Sequence, residues 1–202
     1  MNQGLGIGAI VLAAGASCRM GQTKQVLPYR GTTLVGYASE QAQQAGLDPV
    51  VVVTGAQADV VTKALPDTVH PVHNSAWSQG MGSSLVCGIN ALVGLRSDLD
   101  AVMVTLADQP RVDADLLRQY VRAWQDHSCD AVALRYPSGP GVPALLATHL
   151  LTQLDHLRSQ GAKAVLRAPD RVVRVIDQPE ASFDVDTYDA YRQLLGHEAT
   201  NP

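Results

Sequence analysis

Small residues, cations and carboxylates that could handle phosphate chemistry are gathered in a few short stretches of this chain. The first reads Leu12-Ala13-Ala14-Gly15-Ala16-Ser17-Cys18-Arg19-Met20-Gly21-Gln22-Thr23-Lys24. Small side chains from Ala13 to Ser17 let the main chain approach a phosphate and aim consecutive N–H groups at it. Arg19 offers a planar fork for phosphate oxygens, and Lys24 adds a point charge five residues on. Two cations and an amide nest suit a triphosphate, whereas a plain strand-to-helix turn with two surface cations would carry the same residues. Neither GxGxxG nor GxxxxGK[ST] is present, because Gly15 and Gly21 are too far apart and Lys24 does not follow Gly21 directly.

The second stretch is Asp108-Gln109-Pro110. It follows an apolar run, so its carboxylate falls at the carboxyl end of a strand. An Asp there suits Mg²⁺, which favours carboxylate and phosphate oxygens and keeps several waters; capping of a helix from Asp113 is the alternative. The third is Phe183-Asp184-Val185-Asp186-Thr187, where alternation puts both carboxylates on one face of an extended segment. Asp186 would equally serve as an N-cap for the last helix.

The elements that must position these residues follow from periodicity. Ala9 to Ala13, Val50 to Thr54 and Ala101 to Leu106 are short continuous apolar runs, as expected of strands buried on both faces. Further extended pieces are predicted at Val69 to His73, Ala131 to Arg135 and Val172 to Ile176. Helices are predicted at Thr33 to Ala45, Ala58 to Leu65, Ser83 to Val93, Asp113 to Gln125, Thr148 to Leu157 and Thr187 to Leu195, with Pro137 to Pro143 as a turn-rich loop. Strands alternating with helices imply a Rossmann-like three-layer α/β/α sandwich with a mostly parallel sheet. At 202 residues the chain is read as a single domain over 1–202.

Composition excludes several partners. Hydrophobic residues make up 46% and charged residues 17%, which argues against disorder. Aromatics are only 4%, too few for base-stacking platforms, and the 15 cations, 12 of them Arg, form no polybasic run. No nucleic acid and no membrane are expected as partners. Cys18, Cys87 and Cys129 are odd in number and widely spaced, which fits neither a disulfide framework nor a metal knuckle. The stretch Met1 to Leu12 has no basic segment and its apolar run is short, so a cytoplasmic location is expected. His70 and His73 lack a third ligand at suitable spacing and read as ordinary surface or core histidines. No GxSxG elbow accompanies Ser17, Ser83 or Ser84.

Taken whole, LAAGxSxRMGxxK resembles the signature of the MobA-like NTP transferase family, and within it the molybdenum cofactor cytidylyltransferases, in which Ala13-Ala14 stands where guanylyl-transferring relatives more often have a second glycine. The segment Asn74-Ser75-Ala76-Trp77-Ser78-Gln79-Gly80-Met81-Gly82-Ser83-Ser84 resembles the family's nucleobase wall. Its glycines would let backbone groups read the base edge, although Ser83 and Ser84 also suit a helix N-terminus and Trp77 suits packing. Ala107 replaces the glycine that usually precedes the family's Asp-Gln-Pro. Gly139 to Leu146 resembles the acceptor loop, with Val142 and Leu146 departing from it, and Ser159 to Lys163 resembles a second acceptor segment.

The resemblance implies that Leu12, Ala13, Ala14, Gly15, Arg19, Lys24, Asn74, Gly80, Gly82, Ser83 and Ser84 bind a nucleotide. Arg19, Lys24 and Asp108 would be catalytic, and Asp108 and Asp186 would hold Mg²⁺, with Asp184 as the neighbour that could serve instead. Residues from about 110 to 202 would bind the acceptor and supply the second metal ligand. The implied reaction transfers CMP from CTP, the favoured nucleotide, to the terminal phosphate of a molybdopterin-type acceptor, with transient contact to a recipient molybdoenzyme. Guanylyl transfer, another phosphorylated acceptor, and a non-catalytic delivery protein for a molybdoenzyme are the alternatives. NAD-dependent hydride transfer is disfavoured by the missing GxGxxG.

Overall fold

The computed structural model describes residues 5–126, 128–152 and 154–199; the first four residues of the Met1 to Leu12 stretch lie outside them. Nine strands are described: β1 Ile7–Ala13, β2 Pro28–Tyr29, β3 Thr32–Thr33, β4 Val50–Thr54, β5 His70–His73, β6 Ala101–Leu106, β7 Ala131–Tyr136, β8 Gly139–Ala147 and β9 Val173–Ile176. The helices are α1 Leu34–Gln44, α2 Ala58–Thr62, α3 Met81–Leu95, α4 Ala114–Gln125, α5 Leu154–Gln160, α6 Lys163–Leu166 and α7 Tyr188–Ala199. Seven strands form one sheet in the order β5-β4-β1-β6-β8-β7-β9.

Why β1 lies at the centre is written in its composition. All seven of its residues are buried, and it pairs in parallel with β4 on one side and β6 on the other. Alternation then divides its side chains: Ala9 and Val11 pack with Val35 and Ala38 of α1 and Leu117 of α4, while Ile10 and Leu12 pack with Leu85 and Ile89 of α3 and Leu157 of α5. Helices therefore cover both faces, giving the three-layer α/β/α sandwich with a mostly parallel sheet. The chain runs from β1 through β4 to β5 on one side and resumes with β6 on the other. Beyond the carboxyl ends of β1 and β6 lies the crevice where open sheets of this kind hold ligands.

The sheet departs from the expected pattern at Pro137 to Pro143. Instead of a loop, most of this stretch belongs to β8, which runs antiparallel to both β6 and β7. Only Ala144 to Ala147 pair with β6, so Pro140 lies where β8 has one neighbour, and Val142-Pro143 falls in the register shift between Ala133 and Leu134 of β7. Proline removes a ladder donor, and these are positions where the ladder asks for none. Other expectations were too simple: α2 ends at Thr62, Thr148–Thr152 is a 3-10 turn preceding α5, and α6 and the β2-β3 hairpin were not foreseen. A small third cluster beneath α7 joins Tyr29, Leu34 and Tyr37 to Val185, Tyr191 and Leu194. Tyr191 Oη donates to the Pro28 carbonyl at 2.6 Å. This cluster ties the end of the chain to its beginning.

Where α3 meets α5 the backbones touch. A Cβ built on Gly82 would lie 2.2 Å from the Arg158 carbonyl oxygen and 2.4 Å from that of Leu157, both rigid main-chain atoms. Gly82→Ala should therefore force the two helices apart and destabilise the fold by about 1–3 kcal/mol, the usual scale of overpacking. Thermal unfolding measures this, and an unchanged melting temperature would contradict the packing.

Candidate nucleotide site

The first apolar strand ends at Ala13, and the chain then has to turn away from the sheet edge of two parallel neighbours. It does so through Ala14 to Met20 without regular structure, with Ser17 at φ 53. The turn is held from both sides: the Ala14 carbonyl accepts from Ala56 N–H at 3.2 Å, and the Leu12 carbonyl from Ala107 N–H at 3.1 Å. Ala107, standing in place of glycine, is buried in the core and accommodated without disturbance of this contact. Asp108 is thereby fixed beside the loop. Val185 is fully buried, and its N–H donates to the Asp108 carbonyl at 2.9 Å. That bond brings Asp184 and Asp186 to the same place from the far end of the chain.

These three segments enclose a cavity of about 480 Å³. Of the residues expected to bind nucleotide, Leu12, Ala13, Ala14, Gly15, Arg19, Lys24, Gly80 and Ser84 lie on its wall, together with Asp108, Asp184 and Asp186. Asn74, Gly82 and Ser83 do not line it. Asn74 is buried, with Nδ2 donating to Ser83 Oγ at 2.9 Å and Ser84 Oγ at 3.0 Å. Ser83 Oγ donates to the Ala76 and Gly80 carbonyls. These residues set the path of the chain into α3, and Gly82 is required by helix packing. Neither serine caps α3, whose N-cap is Gly80 at φ 103.

At one end of the cavity the charges converge. Lys24 Nζ donates to Asp108 Oδ2 and, at 2.7 Å, to Asp186 Oδ1, while Arg19 Nη2 donates to Asp186 Oδ2 at 2.7 Å. The Lys24 ammonium is largely enclosed, whereas the Arg19 side chain is 72% exposed and its pair is worth correspondingly little to stability. Burial works to lower the pKa of Lys24, but Asp108 and Asp186 outweigh it and hold it above its ordinary value. The hydrogen bond from Lys24 keeps the Asp186 carboxyl below the usual carboxylate range. Asp186 does not cap α7; Thr187 does, its Oγ1 accepting from Ala190 N–H at 3.1 Å. Among the described residues no group of three or more His, Cys, Asp or Glu is arranged for metal ligation. Two convergent carboxylates beside a phosphate loop are nevertheless the oxygen-only set that Mg²⁺ or Mn²⁺ accepts when phosphates and water complete the shell.

Asp184 plays a different part from Asp186. Gln109 Nε2 donates to Asp184 Oδ1 and to Tyr136 Oη, each at 2.9 Å, and Tyr136 Oη donates in turn to the Val142 carbonyl. This chain leads to a second cavity, of about 330 Å³, whose wall includes Gly139 to Val142 and Gln160 to Lys163. The structure thus brings the two segments resembling acceptor loops together. Met81, Leu106 and Asp184 belong to both cavities. Sequence reasoning missed Gln25, Gln109, Tyr136 and Met81; Trp77 packs against the core as expected and also lines the first cavity. Both glutamines sit directly after a singled-out charge, but an amide carries no spacing signature.

The sequence profile described as the MobA-like NTP transferase domain matches residues 9–173. The chain belongs to this family. Among its relatives, nicotine blue oxidoreductase of Paenarthrobacter nicotinovorans is 32% identical over 92% of this chain and 95% of its own length. The molybdenum cofactor cytidylyltransferase of Escherichia coli K12 is 25% identical over 92% and 93%. The crystal structure of Rv0371c from Mycobacterium tuberculosis H37Rv in complex with manganese superposes with a TM-score of 0.74 at 28% identity, covering 94% of this chain and 98% of that one.

Burial raises the pKa of the Asp184 carboxyl; the Gln109 hydrogen bond opposes this and the charges of Asp108 and Asp186 add to it. A folded-state pKa above the unfolded one favours folding below the unfolded value and loses that advantage as pH rises through the folded one. Asp184→Asn, which still accepts from Gln109, should therefore raise the melting temperature at neutral pH by about 1–2 °C, a small effect because solvent screens the site. The gain should vanish in melts near pH 3; a gain independent of pH would contradict the assignment.

Proposed function

We propose that this chain is a single-domain nucleotidyltransferase that moves CMP from CTP to the terminal phosphate of a molybdopterin-type acceptor and releases pyrophosphate. The observation that carries the reading is the convergence of Lys24, Arg19, Asp108 and Asp186 beside an amide-rich loop, with an adjoining cavity for a second substrate. The likeness to a cytidylyltransferase and the Ala13-Ala14 pair support CTP; residues from about 110 onward would supply the acceptor cavity and the second metal ligand. No described helix is long and apolar enough to cross a membrane, and a cytoplasmic location is part of the proposal, as is transient contact with a recipient molybdoenzyme.

The acceptor phosphate is mostly dianionic at neutral pH, so its oxygen can attack the α-phosphorus without a general base. The bond to the β-phosphate breaks and the pyrophosphate leaves with the electron pair. Arg19 and Lys24 would grip the β- and γ-phosphate oxygens and stabilise the charge that builds on the leaving group. Asp108 and Asp186 would hold the divalent ion, Mg²⁺ in our reading, which when bound neutralises negative charge around the α-phosphate. The manganese complex of the mycobacterial relative agrees with a divalent ion in this fold. The loop and the shared wall of Met81 and Leu106 would bring the reactants into line.

Asp108→Ala and Arg19→Ala should each lower turnover on the order of 10²-fold or more while the fold persists. Coupled pyrophosphate release, checked against circular dichroism, tests both, and near-normal release by either variant would sink the assignment. A panel of four nucleoside triphosphates should show CTP turned over best; preference for GTP would replace the cytidylyl reading by a guanylyl one. The Paenarthrobacter relative motivates a second reading, an oxidoreductase using the same cavity, and oxidation of NADH or NADPH coupled to reduction of added nicotine blue, without pyrophosphate release, would establish it. Nucleotide binding with neither activity would point to a delivery protein.

A further inference from the structure

Gln25 is 2% exposed, next to the enclosed Lys24, and every polar atom of its side chain is committed to the loop after β1. Its Nε2 donates to the Ala13 carbonyl at 3.2 Å and the Gly15 carbonyl at 2.8 Å, and its Oε1 accepts from Ser17 Oγ at 3.0 Å. Ser17 Oγ in turn accepts from Lys24 N–H at 3.1 Å. The loop is therefore closed on itself, with its first carbonyls, its left-handed Ser17 and the root of Lys24 joined through one amide.

We infer that Gln25 is a positioning residue that presets the phosphate-binding amides before the triphosphate arrives, an inference that rests on the nucleotidyl-transfer reading. In a trans peptide the N–H points opposite to the carbonyl of the same unit. Turning the Ala13 and Gly15 carbonyls onto Gln25 aims the N–H groups of Ala14 and Ala16 the other way, and both residues line the cavity. The Ala13 carbonyl is also held by its place in β1, but the Gly15 carbonyl lies past the strand and without the amide can rotate toward the phosphates, where it would repel them. Serine at positive φ is uncommon for a residue with a side chain, and the bonds from its Oγ to Gln25 and Lys24 hold it there. Gln25 borders the cavity with its polar atoms turned onto the loop, and it acts through the backbone.

Gln25→Met keeps the length and apolar volume of the side chain while removing both donors. It should weaken binding of inorganic tripolyphosphate about tenfold, roughly the loss of one to two hydrogen bonds of preorganisation. The KM for CTP should rise by the same factor and that for the acceptor should stay unchanged. A merely structural role would reduce the active fraction, and so kcat, without moving KM. Ser17→Ala, which loosens the same ring from its exposed side, should raise the tripolyphosphate Kd about threefold and decides the matter if Gln25→Met does not fold. Wild-type affinity in either folded variant overturns the role of Gln25 alone. Failure of the wild-type protein to bind tripolyphosphate or CTP overturns the nucleotidyl-transfer reading, and the role of Gln25 with it.

Discussion

One ammonium group organises the site. Lys24 joins two carboxylates that are 84 and 162 residues away in sequence, and Arg19 adds a second cation to Asp186. Two positive and two negative charges thus balance at the mouth of the crevice, which is the condition under which charges can be withdrawn from water at moderate cost. The same balance poises the site for exchange. On the proposed function, a triphosphate entering with a divalent ion would offer each member of the network a new partner of the sign it already prefers, so that no charge is left bare when the old pairs part.

The network can form because packing delivers its members. β1 and β6 lie side by side in parallel, so Leu12 and Leu106 end at the same level and the residues that follow them meet. The third contributor has no such help from the sheet. Its position depends on Val185, buried in the cluster that α7 makes with Tyr29, Leu34 and Tyr37, and on one backbone bond to Asp108. An apolar residue between two aspartates is thus as necessary to the acidic site as the carboxylates themselves.

Much of this was legible in the chain. The continuous apolar runs of β1, β4 and β6 could only be buried strands, and alternation with helical segments left little choice but a parallel sheet. The loop motif and the two acidic motifs stood out through the family resemblance, since charge and spacing alone left a plain turn or a helix cap open at each. What could not be read was whatever depends on contacts across long sequence distances. The backbone of α5 leaves no room for a side chain at Gly82; Pro140 and Pro143 look like loop residues until the pairing places one where β8 lacks its β6 neighbour and the other in the register shift against β7. Gln109 and Tyr136 acquire meaning only when Asp184 and Val142 are folded against them.

The shared wall between the cavities has a consequence for how such a protein can diversify. The first cavity is built from the ends of the parallel half of the sheet, whereas the second draws on β8 and the helices after it, with β8 held to β6 by four residue pairs. Changes confined to Gly139 to Val142, beyond the stretch of β8 that pairs with β6, would therefore reshape the second cavity while leaving the central pairing of the sheet intact. Met81, Leu106 and Asp184 set the limit on that freedom. Because they face both cavities, a change at any of them that reshapes one would reshape the other as well.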